Sequence, residues 1–437
     1  MPSMSGRVRP LLIGVAAAAL LLVGVARPGP AFGVQRAAAP FSWNPGKSLA
    51  TAGGRLLSAW ASDCPPPSGA CATDRSPTMG VFVQRSPAAA VPAAWGRPKR
   101  MSPHDVQAER SSIAADGNLA VVGWVTQTSY LHYRPTARRS FWIRISTDHG
   151  ATWRAPHRVS LLRGRVDYPR LAVQGHEIFA VWTDANNGAI RFATTTDLGA
   201  TWSKRTVGTT SSTSDGVRQG FAGLPDIGVS GTNVALVWFS NPNGKQLVEL
   251  SSIGGTDLSS STPSTTLVAS SPNDGQRYAG AAGSLIPGDP RVAIAFTAQG
   301  QLLVRVWDGV TLGPEITVAS FPVAVGGVVY TGGYGPAVLP TGSDGLVVAF
   351  AGCHRRSNVP NPCDPTDGAA RIDILSRESA DGGGTWGPSR RLVDATKAPY
   401  RVNDEPSIAL TTGRRRIAFD SYQPSFVAYL VRMRSIA

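Results

Sequence analysis

Short apolar runs recur along this chain and share one residue pattern. Small residues open each run, a glycine-containing turn interrupts it, and an aromatic residue usually closes it. Clear copies are SLATAGGRLLSAW from Ser48, SIAADGNLAVVGW from Ser112, RLAVQGHEIFAVW from Arg170 and DIGVSGTNVALVW from Asp226. The runs are rich in aliphatic and aromatic residues and lack a 3.6-residue period, so they predict β-strands. Weaker copies begin at Ser284, Ala337 and Ser407.

The seven copies start 64, 58, 56, 58, 53 and 70 residues apart. Each unit has room for four strands: the two runs, a third such as 141–145, and a fourth such as 157–160. Such units are typical of a ring of antiparallel sheets. The repeats therefore predict an all-β fold, a seven-bladed β-propeller of four-stranded antiparallel blades. The last unit lacks a fourth strand, and we expect the segment around 37–43 to supply it, because an open edge is a liability.

A polar turn with the spacing Ser/Thr-x-Asp-x-Gly-x-Thr-Trp follows the third strand in three units. It reads STDHGATW from Ser146, TTDLGATW from Thr195 and SADGGGTW from Ser379. The Asp can accept backbone N–H groups, the Gly permits a conformation that a Cβ would obstruct, and the Trp can bury its ring between strands. The motif thus predicts a structural role for Asp148, Gly150, Trp153, Asp197, Gly199, Trp202, Asp381, Gly383 and Trp386.

This motif resembles the Asp box of the sialidase (BNR-repeat) superfamily, whose members are β-propellers. The resemblance implies that the boxes lie on one face and that the functional site surrounds the channel on the opposite face. Known sialidase domains have six blades, so a six-bladed ring is the alternative. Sialidases use an Arg triad, a Tyr nucleophile paired with Glu, and an Asp acid/base. The family's early Arg-Ile-Pro motif is absent here and the Tyr/Glu pair cannot be placed, so the catalytic residues are unknown.

Loops from the fourth strand of one unit to the first strand of the next would meet at the channel face. They are rich in Arg, Tyr and acidic residues, and Arg binds carboxylates in a planar, bidentate manner. The commoner role of such residues is a turn cap or a surface ion pair. The candidate ligand-binding residues are Arg170, Arg277, Arg401, Asp167, Tyr278 and Glu405.

The N-terminus has the features of a signal peptide, residues 1–33. Arg7 and Arg9 precede an uncharged apolar run over 11–26, which is shorter than the roughly 20 residues that span a bilayer. Ala31-Phe32-Gly33 fits a cleavage site, although an uncleaved anchor is the alternative. We expect a secreted protein with a single propeller domain over 34–437. Its close cysteine pairs predict disulfides in preference to a metal site: Cys64–Cys71 and Cys353–Cys363.

The formal net charge is +14, and only five of the 42 basic residues are Lys. A basic surface favours anionic polymers such as acidic glycans or cell-wall polymers, while no nucleic-acid motif occurs. No metal or cofactor is expected. Two functions follow. The first is a secreted sialidase-like propeller that binds a glycan, cell-wall polymer or protein at its channel face. The alternative is an exo-acting glycoside hydrolase of sialidase type.

Overall fold

The computed structural model describes sixteen parts of the chain, and the predicted signal peptide lies outside them. Within these parts the chain forms strands, turns and bends, with no helix. No segment there could cross a membrane as a long apolar helix. The described residues are 36–37, 49–62, 79–86, 96–127, 138–160, 164–210, 223–240, 246–253, 264–271, 279–283, 289–342, 344–355, 370–392, 402–411, 414–423 and 426–436.

Five separate sheets each contain four antiparallel strands in chain order. Their strands are rich in small and apolar residues and are joined by turns, as the repeats predict. Their strands are β2 (Leu49–Ala52), β3 (Arg55–Ser62), β4 (Gly80–Arg85) and β5 (Lys99–Arg100); β6 (Gln107–Asp116), β7 (Leu119–Gln127), β8 (Arg139–Ser146) and β9 (His157–Arg158); β10 (Val166–Gln174), β11 (Glu177–Asp184), β12 (Ala189–Thr195) and β13 (Ser203–Thr209); β14 (Gly223–Ser230), β15 (Asn233–Ser240), β16 (Gln246–Ile253) and β17 (Ser264–Ser271); and β18 (Ala279–Gly283), β19 (Val292–Ala298), β20 (Gln301–Trp307) and β21 (Ile316–Ser320).

The remaining strands form a nine-stranded sheet with two antiparallel halves. The halves meet through one parallel pair, Ile372 opposite Val402. One end strand is the N-terminal β1, in which Arg36 lies opposite Leu430, so the N-terminal segment adds a strand beside the last one. The strands are β1 (Arg36–Ala37), β22 (Val323–Val325), β23 (Val328–Thr341), β24 (Gly345–Arg355), β25 (Ala370–Ser379), β26 (Arg390–Arg391), β27 (Val402–Thr411), β28 (Arg414–Gln423) and β29 (Phe426–Ile436).

The first strands of the units surround a common cavity. Consecutive first strands contact one another, and β27 contacts β2 in turn. Apolar side chains fill the spaces between neighbouring sheets, where Trp124 and Trp238 are fully buried and Trp60 and Trp182 nearly so. This is the arrangement of a β-propeller. The cavity is lined by β2, β6, β10, β14, β18, β23 and β27.

The three Asp-box turns share one hydrogen-bond network. In the first, the Ser146 hydroxyl donates to Asp148 Oδ1 over 2.7 Å and accepts from the Gly150 N–H over 2.8 Å. The Thr152 N–H and hydroxyl both donate to the Asp148 carboxylate. Gly150 has φ +78°. The same bonds recur at Thr195, Asp197, Gly199 and Thr201, and at Ser379, Asp381, Gly383 and Thr385.

The box Trp residues pack at the junction with the preceding sheet. Trp153, Trp202 and Trp386 are each half-buried against apolar clusters that two adjacent sheets share. A Cβ on Gly150 would come within 2.7 Å of Leu57 in the preceding sheet. The box therefore stabilises the contact between sheets as well as its own turn.

A contracted box closes the β20–β21 turn, which the sequence motif does not detect. Asp308 Oδ1 accepts the N–H groups of Val310 and Thr311 over 2.9 and 2.7 Å, and the Thr311 hydroxyl donates to Asp308 Oδ2. Leu312 packs where a box Trp would be expected. Asp and Thr thus keep the turn although the Ser and the Trp are missing.

Candidate functional site

The central cavity has a volume of about 850 Å³ and mostly small apolar walls, such as Ala114, Gly228 and Ala281. Its two ends differ. At one end, the Asp-box residue His149 bonds to Asn118 in the β6–β7 turn, so the boxes and these turns share a face. The first strands begin at the opposite face, as predicted for the channel mouth.

Five of the first strands, β6, β10, β14, β23 and β27, share a β-bulge near that mouth. Two residues of the strand are left out of the pairing, and in four of the five cases the first has a positive φ: Arg110, Tyr168, Leu224 and Gly335. The second is Ser or Pro, and Pro is tolerated there because a bulge does not need its N–H. The sequence analysis did not predict this feature, and the signal that could have indicated it is the Pro that recurs in four of the five strands. The bulges separate Glu109 from Ser112, Asp167 from Arg170, Gly223 from Asp226, Tyr334 from Ala337 and Asp404 from Ser407.

Asp167, a predicted ligand residue, lies between two guanidinium groups. It forms an ion pair with Arg110, and Arg139 Nη1 lies 3.2 Å from its Oδ2. Arg110 also stacks 4.2 Å from the centre of the Tyr168 ring. Burial alone would lower the pKa of Arg110, but Asp167 raises it above its ordinary value. The bulges of β6 and β10 therefore join two sheets through a buried charge cluster.

Arg170 lies directly after its bulge and lines the cavity. Its Nη1 donates to the Pro169 carbonyl over 3.1 Å, and its Nε lies 4.0 Å from Asp226 Oδ1 in the next sheet. Asp226 Oδ2 accepts the N–H of Ala281 over 2.9 Å. Ser112, at the equivalent position of β6, accepts the N–H of Leu171 over 3.1 Å. We call Ser112, Arg170 and Asp226 the mouth ring.

The other predicted ligand residues are less fully described. Arg277, Tyr278 and Arg401 lie outside the described residues. Glu405 occupies the bulge of β27, at the position that Arg110 holds in β6. Asp167 and Arg170 thus flank one bulge but contact different partners, and of the two only Arg170 lines the cavity. Asp226 and Ser112, which the sequence analysis did not select, lie at the positions equivalent to Arg170 in the neighbouring first strands.

A second buried polar cluster links β23, β24 and β25 at the same face. The Tyr330 hydroxyl donates to Asp373 Oδ2 over 2.6 Å, and His354 Nε2 lies 3.3 Å from the same oxygen. Asp373 is fully buried, and Arg391 Nη1 is 3.9 Å away. Burial and the bond to Asp373 raise the pKa of Tyr330 well above its ordinary value. Tyr330 is therefore a neutral donor that fixes this carboxylate.

The described residues include one of the four cysteines for which disulfides are predicted. Cys353 is fully buried in β24. Cys64, Cys71 and Cys363 lie outside the described residues, so both pairings stay predictions. Within the described ranges, no three His, Cys, Asp or Glu side chains are arranged to hold a metal ion.

Comparison with known proteins finds similar structures only. No protein-family model and no curated protein matches the chain. A Hadza microbial sialidase is 12% identical, with a TM-score of 0.45, over 83% of this chain and 74% of that one. The leech intramolecular trans-sialidase is 9% identical, with a TM-score of 0.46, over 89% and 67%. The Cellvibrio cellulosa α-L-arabinanase complexed with arabinohexaose is 13% identical, with a TM-score of 0.35, over 62% and 90%.

Proposed function

We propose that this chain is an exported, seven-bladed propeller that binds an acidic glycan or cell-wall polymer at the mouth of its central cavity. The observation that carries the proposal is the cavity itself. It is lined by seven first strands and has Arg170 and Asp226 at one end. Its volume of about 850 Å³ lies in the range of small-molecule sites.

The chemistry of the mouth favours an anionic group on the ligand. Arg170 supplies a planar donor group at the cavity wall, and such a group suits a carboxylate. The small, apolar walls leave space for one or a few sugar residues below it. A polymer would insert its end or a side branch, because the cavity is enclosed by the ring of strands.

The contacts of Asp167 and Asp226 support a binding function better than a hydrolytic one. A glycosidase needs a carboxyl group that can exchange a proton with its substrate. Asp167 is instead held between Arg110 and Arg139, and Asp226 accepts the backbone N–H groups of Ile227 and Ala281. Both carboxylates therefore serve the bulges and the contacts between sheets.

Export is part of the same proposal. The secreted protein should begin close to residue 34, which N-terminal sequencing would show. Mass mapping should then return the pairs Cys64–Cys71 and Cys353–Cys363. An intact N-terminus in the membrane fraction, or free thiols throughout, would contradict this part alone.

The binding claim is tested with purified residues 34–437 on an array of acidic and neutral glycans, followed by calorimetry on the strongest ligand. Arg170→Ala should weaken binding by about tenfold or more, since a well-formed bond to a charged group contributes about 1.5–3 kcal/mol. Arg170→Lys should recover only part of the affinity.

Arg144→Ala is the matched control. Arg144 is a half-buried arginine that bonds to backbone carbonyls away from the cavity. The Arg144→Ala variant should be less stable than the wild type and should keep its affinity for the ligand. Unchanged affinity in folded Arg170→Ala would place the site elsewhere, and release of sugar from the array ligands would favour the hydrolase.

A further inference from the structure

The residue between the Asp and the Gly of the Asp box has the same backbone conformation in all three copies. It is His149, Leu198 or Gly382, with φ of 57°, 56° and 70°. The N–H of His149 donates to the Asn118 carbonyl over 3.0 Å. The N–H of Gly382 donates to the Asp344 carbonyl over 2.5 Å. Both carbonyls belong to the turn between the first and second strands of the same sheet, so the first and third boxes hold this residue in the same way.

In two of the boxes the side chain at this place fills the junction with the preceding sheet. The His149 ring lies against Gly53 in the β2–β3 turn, where an added Cβ would clash with it. Its Nδ1 lies 3.3 Å from the Gly117 carbonyl oxygen in the β6–β7 turn. Leu198 packs against the apolar cluster that the sheets β6–β9 and β10–β13 share. Gly382 has no side chain, so its junction lacks this filling.

A cavity of about 190 Å³ lies at the junction beside Gly382, between the sheet β18–β21 and the nine-stranded sheet. It is bounded by the segment before β19 and by the β23–β24 turn, which correspond to the two turns around His149. It shares no lining residue with the central cavity. A cavity of about 150 Å³ with apolar walls can hold benzene, so this one has room for a ring-sized group. Its apolar side chains are Ala293, Val306, Pro314, Ile316, Pro340 and Leu346.

The charged side chains that line this cavity, among the described residues, are Asp289, Arg291 and Asp344. The Arg291 guanidinium donates to both oxygens of Asp289 over 2.7 to 3.0 Å and to Asp344 Oδ1 over 3.1 Å. Because carboxylates already engage this guanidinium, it offers little to an anionic ligand. The Asp344 side chain is 57% exposed, so the cavity meets solvent beside it. Two carboxylates and one guanidinium leave an excess of negative charge, which favours a cation at this entrance.

We propose that this cavity, which we call the box pocket, binds a small organic amine whose apolar group is about the size of a six-membered ring. The apolar group lies between the two sheets, where the side chain of His149 or Leu198 lies in the other two boxes. The protonated amine lies near the exposed carboxylate of Asp344, of which Arg291 bonds only Oδ1. A sugar residue is a poor fit, because its hydroxyl groups would be buried against apolar walls without hydrogen bonds.

The test is an NMR titration of residues 34–437 with benzylamine, with benzyl alcohol and benzoate as the neutral and anionic probes of the same size. Benzylamine should bind about fivefold more tightly than benzyl alcohol, the upper range for an exposed ion pair, and benzoate should bind most weakly. Asp344→Asn should reduce benzylamine to the affinity of benzyl alcohol. Gly382→Leu should weaken both probes by about tenfold or more, because it supplies the side chain that Leu198 supplies in the second box. An added Cβ on Gly382 meets no atom within 4 Å.

Gly175→Leu is the matched control for this substitution. Gly175 also has a positive φ, of 57°, and open space around its Cβ position, but it lines neither cavity. This variant should keep the wild-type affinity for benzylamine. Arg170→Ala should keep it too, since Arg170 belongs to the central cavity.

Several outcomes would overturn the box pocket. Retained binding in folded Gly382→Leu, or a loss in Arg170→Ala, would place the amine elsewhere. No binding of benzylamine, together with a more stable Gly382→Leu variant, would show that the cavity is only a packing defect. If Gly382→Leu does not fold, Asp344→Asn decides the question, because Asp344 is exposed and an unchanged preference for the amine in that variant would refute the proposed contact.

Discussion

Arg144 in β8 donates a hydrogen bond of 2.8 Å from Nε to the carbonyl oxygen of Met101, which follows the last strand of the preceding sheet. The same link recurs twice. Arg305 Nη1 donates to Val268 over 2.9 Å, and Arg377 donates to Val318. Each arginine also bonds to a carbonyl just beyond its own turn between the third and fourth strands: Arg154, Gly313 and Gly387. These arginines join neighbouring sheets through the backbone of their third and fourth strands.

Replacing such an arginine should destabilise the ring. Arg305→Met removes three bonds to carbonyl groups and keeps much of the aliphatic stem. We expect a loss of about 1–3 kcal/mol in the free energy of unfolding, because each such bond contributes about 1 kcal/mol net. Denaturant titration measures this, with the exposed Arg154→Met as the control. Equal midpoints for the two variants would show that the arginine link contributes nothing.

The Arg110–Asp167 pair makes a sharper prediction. Arg110→Met leaves the Asp167 carboxylate buried with only Arg139 beside it, and breaking a buried pair costs about 3–5 kcal/mol. Arg110→Met/Asp167→Leu should recover part of that loss, since the buried carboxylate is removed together with its partner, and the recovery is incomplete because Arg139 then loses its bond to Asp167. Unfolding curves of Arg110→Met, Asp167→Leu and the double variant test this. A double variant as unstable as the sum of the two single variants would mean that the charges do not interact.

The box tryptophans should matter for stability and not for binding. Trp153→Ala, Trp202→Ala and Trp386→Ala should each cost about 2–4 kcal/mol, toward the lower end for large-to-small changes because the rings are only half-buried. Ligand affinity should be unchanged, because the boxes lie on the face opposite the mouth. Thermal and denaturant unfolding measure the loss, and three wild-type transitions would count against a structural role.

Acid should weaken the boxes in a defined pH range. Burial would raise the pKa of Asp148, but hydrogen bonds from Thr152 and Ser146 lower it to about 2, and bonds from Thr385 do the same for Asp381. The hydroxyl of Thr195 and the groups of Thr201 lower the pKa of Asp197 as well. The folded carboxylates are more acidic than the unfolded ones, with a pKa of about 3.9. Their contribution is therefore present above that value and is lost as the pH falls toward 2.

The control for the acid prediction is the triple variant Asp148→Asn/Asp197→Asn/Asp381→Asn. Its melting temperature at pH 7 should be lower than that of the wild type, and its further decrease between pH 4 and pH 2 should be smaller. Parallel curves for the two proteins would mean that other groups cause the acid sensitivity.

Much of the fold could be predicted because its signals are local and repeat at fixed spacings. The strand pairs from Ser112 and Arg170 and the boxes at Asp148 and Asp381 are examples. The candidate site was harder to predict from the sequence, because its contacts join residues of different sheets. Asp167 meets Arg110 and Arg139 only after two sheets pack together, so no local pattern shows that its charge is already compensated. The contracted box at Asp308 was missed because its spacing is shorter.

The central claim is that the ligand binds in the cavity against the mouth ring. The most direct measurement is a crystal structure of residues 34–437 with the acidic oligosaccharide selected on the array. We predict an anionic group about 3 Å from the Arg170 guanidinium, inside a ring of seven first strands. A ligand bound only at the outer edges or on the Asp-box face, or a ring of six blades, would contradict that account.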